Sequence, residues 1–213
     1  MKVGYLLRQL LLGITARSSA AYWERRYRWG LTSGSGSTGE LARYKAEFLN
    51  EFVRRHAVTS VAEFGCGDGN QLALADYPRY LGLDVSRTAI RLCADRFGRD
   101  PAKSFLWYQP DSNVNLAGFV RADLSLSLDV IYHLLEDHTY RRYLADLFAT
   151  AIRFVIIYSS DSDEATASPH VRHRRFTADV AAMFPDFEKV QRVPNRYPDR
   201  TFAEFVVYRR RTS

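Results

Sequence analysis

The chain has 213 residues, 46% of them hydrophobic and 25% charged, with a formal net charge of +6. That composition fits one medium-sized folded domain and excludes a disordered chain or a bilayer-spanning one. Its two cysteines, Cys66 and Cys93, lack any Cys-x-x-Cys or Cys/His spacing, which excludes a disulfide framework and points to a reducing, cytoplasmic setting.

At the N-terminus Leu6, Leu7, Leu10, Leu11 and Ile14 recur at helical spacing, and Arg8 and Gln9 interrupt the apolar run. The segment is too broken for a transmembrane helix or a signal peptide. It reads as an amphipathic helix that packs on the domain or on a twin subunit in a homodimer, with docking on a membrane surface as the alternative. The stretch "TSGSGSTG", Thr32 to Gly39, is flexible by composition. It divides an arm, residues 1–39, from a main body, residues 40–213.

From Glu40, the residues Leu41, Tyr44, Phe48, Leu49, Phe52 and Val53 share one helical face, giving a helix to about His56. Strands and helices then alternate. Strands are expected at Ser60–Phe64, Tyr80–Val85, Ser104–Tyr108 and Leu124–Ile131, and at the continuous apolar run "FVIIY", Phe154–Tyr158. Helices are expected over Asn70–Ala75, from the N-cap Ser86 to Arg96, over Thr139–Thr150, and from Thr177 to Met183. Two last strands, Phe187–Val193 and Thr201–Arg209, flank "PNRYPD", which suits a hairpin. The expected fold is α/β: a doubly wound, seven-stranded, mostly parallel sheet with an antiparallel C-terminal hairpin and helices on both faces. In such a sheet the ligand lies at the carboxyl ends of the strands.

The first strand runs into "FGCGDG". Gly65, Gly67 and Gly69 permit a sharp turn and a close approach of bare backbone to a ligand, with the N–H groups of the following helix beyond. A dinucleotide site would read GxGxxG, but Asn70 stands where the third glycine belongs, which weakens a nicotinamide reading. Asp84 ends the second strand in "YLGLDVS" and offers a carboxylate to both hydroxyls of a ribose. Loop and acid together specify an adenosine-type ligand.

With these features the chain resembles the class I S-adenosyl-L-methionine-dependent methyltransferases over roughly Glu40 to Arg209. "VAEFGCGDG" is similar to their first motif, Asp84 to their ribose acid, and the two last strands to their terminal hairpin. The resemblance implies that Gly65 and Gly67 hold the methionine end of the cofactor and that Glu63 fixes the loop. It further implies that Val85 borders the adenine and that Asp111 or Ser112 meets the adenine amine. The arm "AYWERRY" is similar to the segment that closes over the cofactor in small members, with Tyr22 and Arg26 as contacts.

The segment after the fourth strand, "LSLDVIYHLLEDH", lacks an [ND]PP[YFW] motif, a Pro-Cys nucleophile and a two-glutamate loop. It delivers Asp129 and His133 to the active face. His133 with Asp137 resembles the "HDWSD" segment of small-molecule O-methyltransferases, in which the histidine is the base; His138 and His170 compete for that role. Asp129 either orients His133 or, with Asp161, binds Mg2+; a metal is not expected. The loop "SPHVRHRRF", Ser168 to Phe176, offers His170, Arg172, His173 and Arg174 to a polyhydroxylated or anionic acceptor. The expected reaction is methyl transfer to a hydroxyl of a small molecule, such as a sugar or a glycan or natural-product intermediate, with S-adenosyl-L-homocysteine as product. The basic clusters "ERRYR", "RRH", "RHRR" and "YRRR" keep an RNA methyltransferase as an alternative, although scattered clusters read as solvated faces. A non-catalytic cofactor-binding subunit is the third reading.

Overall fold

A computed structural model describes residues 18–110, 118–166 and 168–212. Helix α1 (Ser19–Arg28) and α2 (Gly39–Arg55) precede the alternating body. That body runs β1 (Val61–Phe64), β2 (Tyr80–Asp84), α3 (Arg87–Phe97), β3 (Lys103–Trp107), β4 (Ala122–Leu128), α4 (Asp137–Thr150) and β5 (Ala151–Ser159). It closes with α5 (Phe176–Met183), β6 (Phe187–Val193) and β7 (Glu204–Arg210). The seven strands lie in the order β3-β2-β1-β4-β5-β7-β6. Strands β1 to β5 pair in parallel, and β7 is antiparallel to both β5 and β6. This is the expected α/β fold. The predicted N-terminal helix lies outside the described residues, and among those described no helix is long and apolar enough to cross a membrane.

Strand periodicity splits the core into two layers. Phe154, Ile156, Phe205 and Val207 face the side covered by Leu49 and Phe52 of α2. Val155, Ile157 and Val206 face the other, against Leu144 and Leu147 of α4. Small Ser125 and Ser127 in β4 are buried, and the Tyr143 hydroxyl of α4 bonds Ser127 Oγ at 2.8 Å.

Two sequence-based boundaries are corrected. No α-helix follows the glycine loop; a single 3₁₀ turn, Leu72–Leu74, takes its place, so the expected row of free helical N–H groups is absent there. Strand β4 ends at Leu128 and not at Ile131, because Asp129 turns into the left-handed region with φ 59°. A second 3₁₀ turn, Ile131–His133, then brings the chain back over the strand ends.

Candidate active site

The three loop glycines all carry positive φ: 85° at Gly65, 59° at Gly67 and 74° at Gly69. A Cβ on Gly65 would stand 2.4 Å from Val130 Cγ2, so neither the dihedral nor the space admits a side chain. The loop is braced by Asp84, whose Oδ2 accepts from Gly67 N at 2.9 Å and whose Oδ1 accepts from Ser86 N at 2.8 Å. Asp84 is only 5% exposed, and that burial raises its pKa to about 6 against the pull of the two backbone donors. Each carboxylate oxygen retains a further lone pair for a ligand hydroxyl.

Glu63 sits in β1 one residue before the loop's leading Phe64. It accepts from the Tyr80 hydroxyl of β2 at 2.7 Å, while Asp84 bonds the loop backbone at Gly67 N. Burial raises Glu63 to about 7, opposed by the Tyr80 hydrogen bond and the charge of Lys45. Cys66 and Cys93 are both free and buried, and Cys93 Sγ donates to Gly67 O at 3.2 Å, a packing role.

Gly65, Gly67, Asp84 and Val85 line one wall of a cavity of about 350 Å³. Tyr108 and Pro110, after β3, extend it; Asp111 and Ser112 lie outside the described residues. Helix α1 lies across the cavity. It presents Ser19, Trp23 and Tyr27, spaced one helical turn apart, to the interior. Tyr22 and Arg26, the contacts expected from resemblance, are buried in the same helix beside these residues. Tyr22 stacks on His170 with ring centroids 4.9 Å apart, and Arg26 Nε donates to Thr32 O at 2.6 Å.

Polar contacts that sequence reading missed fasten this arm down. Glu24, hidden in a basic cluster, accepts from Ser86 Oγ at 2.7 Å and from Thr88 N and Oγ1 at the start of α3. Ser19 N and Oγ donate to the Glu136 carboxylate. Ser33, in the glycine-serine stretch, donates N and Oγ to Asp68 in the glycine loop at 3.0 and 2.9 Å.

Asp129 and His133, after the neighbouring strand β4, line the same cavity. Asp129 accepts from Lys45 Nζ at 2.5 Å and from the Tyr132 hydroxyl at 2.9 Å. His133 places Nδ1 2.9 Å from His170 O. The expectation that Asp129 orients His133 is therefore replaced: the orienting group is a backbone carbonyl. Asp161 lines a separate cavity and accepts from Thr177 N and Oγ1, so it is not brought to Asp129. Among the described residues no group of three or more His, Cys, Asp and Glu could hold a metal ion.

No protein-family model matches the chain, and no curated protein matches it. Solved structures do. The N-methyltransferase NodS from Bradyrhizobium japonicum WM9, in complex with S-adenosyl-L-homocysteine, superposes with a TM-score of 0.66 at 17% identity, covering 92% of this chain and 100% of that one. The Burkholderia thailandensis 1,6-didemethyltoxoflavin-N1-methyltransferase gives 0.65 at 19% identity, covering 91% and 87%. Magnesium protoporphyrin IX methyltransferase from Synechocystis PCC 6803, with S-adenosyl-L-methionine bound, gives 0.65 at 13%, covering 92% and 99%. The chain has the class I methyltransferase fold.

Within that fold the basic loop after β5 has a structural task. Arg172 donates to Leu135 O at 2.9 Å and pairs with Asp137. The buried Arg174 donates to Leu134 O at 2.6 Å and to Leu135 O and Asp137 at 3.1 Å. These arginines hold the β4–α4 segment in place. His173 is spent on Ser160 Oγ at 2.6 Å, and the exposed His138 reaches the cavity rim beside Thr139.

Proposed function

We propose that the chain is an S-adenosyl-L-methionine-dependent methyltransferase that moves a methyl group to a hydroxyl of a small molecule and releases S-adenosyl-L-homocysteine. One observation carries the reading: a single cavity is lined at once by the bare Gly65–Gly67 backbone, the buried Asp84 carboxylate and the ring of His133. The first two suit an amino-acid tail and a ribose, and the third suits the proton of an acceptor.

The cofactor's sulfonium supplies an activated methyl group, so the chain needs to supply alignment and proton removal. Gly65 and Gly67 offer close backbone to the methionine end, Asp84 accepts from the ribose, and Val85 borders the adenine. Burial pushes His133 down to about 4, which keeps it neutral at pH 7. A carbonyl only accepts hydrogen bonds, so Nδ1 carries the hydrogen and Nε2 keeps its lone pair. Nε2 would take the acceptor's proton, and the bound cofactor would supply the methyl group to the acceptor oxygen, its sulfur keeping the electrons of the carbon–sulfur bond.

The RNA alternative loses ground because Arg172, Arg174, Arg209 and Arg210 each pair with a carboxylate. Incubation with S-adenosyl-L-methionine and a panel of hydroxyl acceptors tests the proposal. Acceptor-dependent formation of S-adenosyl-L-homocysteine is expected. Tight binding of S-adenosyl-L-homocysteine without turnover of any acceptor would favour the non-catalytic reading.

A further inference from the structure

We infer, resting on the methyltransferase reading, that the acceptor is an uncharged planar phenol seated against Trp23, on the wall formed by α1 and the segment after β4.

Charge is the first ground. The cavity is lined by Glu63, Asp68, Asp84, Asp129 and Glu136, and among the described residues Lys45 is its one permanent cation. Asp129 already takes that charge at 2.5 Å. An anionic acceptor would enter a field of its own sign with no free counter-ion. The arginines suited to such an acceptor by sequence are committed to Asp137 and to the carbonyls of Leu134 and Leu135.

Surface character is the second ground. Beyond the glycine loop the lining includes Ala20, Trp23 and Leu134, with the Trp23 ring meeting His133 edge to face at 4.9 Å and 74°. Flat apolar surface of this kind favours an aromatic partner in an offset or edge-on arrangement. A polyol would find few open partners there. The wall's polar lining is already engaged: Ser19 with Glu136 through bonds of 3.0 and 2.7 Å, Ser18 Oγ with Ala21 N at 3.2 Å, and Thr139 Oγ1 with His138 at 3.1 Å. Sugar hydroxyls buried without partners carry a penalty that a phenol with one hydroxyl avoids.

The base agrees with the geometry. His133 is held near 4 by burial, so it accepts a proton less readily than an ordinary imidazole. Such a base is better matched to a phenolic hydroxyl, with a pKa of about 10 like that of tyrosine, than to the weaker acid of an alkyl alcohol.

The test uses the full chain saturated with S-adenosyl-L-homocysteine and titrated calorimetrically with 2-naphthol, 2-naphthoate and methyl glucoside. The expected result is 2-naphthol binding about tenfold or more tighter than either competitor. Trp23→Ala should weaken 2-naphthol about tenfold, and Trp23→Phe should restore most of it. If Trp23→Ala does not fold, the wild-type ranking and Trp23→Phe decide the matter. Equal or tighter binding of naphthoate or glucoside, or no binding of 2-naphthol, overturns the acceptor assignment while leaving the methyltransferase reading intact. Failure to bind S-adenosyl-L-homocysteine overturns both.

Discussion

Lys45 Nζ lies 2.5 Å from Asp129 Oδ2, and the lysine side chain is only 1% exposed. The pair ties α2, which precedes the first strand, to the turn that ends the fourth. Gly36 of the arm closes over it, since a Cβ there would stand 2.8 Å from Asp129 Oδ2. Removing one partner leaves the other charge buried and uncompensated, which costs about 3–5 kcal/mol. Lys45→Met should therefore destabilise the fold by about 3 kcal/mol, and adding Asp129→Asn should recover part of that loss. Urea unfolding of the two single variants and the double variant measures the coupling. Strictly additive losses would mean that the pair is not energetically linked.

His133→Ala should lower kcat by about 10²–10⁴ with S-adenosyl-L-homocysteine affinity nearly unchanged, because a base acts on the acceptor. With a pKa near 4, the wild-type imidazole is neutral throughout the physiological range. The rate should stay flat from about pH 8 to about pH 5 and fall below that. Near-normal turnover in His133→Ala, with the loss appearing instead in His138→Ala or His170→Ala, would move the base.

Glu63 imposes a pH dependence on stability. Its folded pKa of about 7 lies above the ordinary 4.5 because of burial. The stabilisation gained from binding that proton is complete below about 4.5 and is lost as pH rises through about 7, a change of about 3 kcal/mol. His133 runs the other way, its contribution being complete above 6.5 and lost as pH falls toward about 4. Thermal melts of Glu63→Gln should thus lose less stability than wild type between about pH 5 and pH 8. Parallel curves would remove Glu63 as the source.

The arm should behave as a lid. Its attachment rests on a few polar contacts, Ser33 to Asp68, Glu24 to Ser86 and Thr88, and Ser19 to Glu136. Hydrogen exchange should show residues 19–38 protected when S-adenosyl-L-homocysteine binds, and Asp68→Ala should raise their exchange in the free protein. Equal exchange with and without ligand would leave Trp23 and Tyr27 as ordinary packing.

Much of the fold was legible because apolar runs separated by turn residues fix strand identity, and β6 falls where the pattern put it, at Phe187–Val193. The end of β4 was not, because an apolar "VI" follows Asp129 and only its φ of 59° shows that the strand has stopped. The helix α1 was not legible either: with Tyr22, Trp23 and Tyr27 all aromatic, composition does not set which of them faces the cavity, and Trp23 and Tyr27 do. Lys45 carried a readable signal, a lysine four residues from both Leu41 and Leu49 on an apolar face. Glu24 and Ser33 carried none. Their partners, Ser86 and Asp68, are distant in sequence and meet them only after folding.

Calorimetric titration of S-adenosyl-L-homocysteine into wild type and Asp84→Ala tests the adenosine site most directly. Asp84 holds Gly67 N and Ser86 N, and in the proposed site its remaining lone pairs would meet the ribose, so its loss would remove ligand hydrogen bonds together with loop support. Saturable one-to-one binding to wild type, weakened about tenfold or more in the variant, is the predicted result. No binding to wild type, or equal affinity in both proteins, would contradict it.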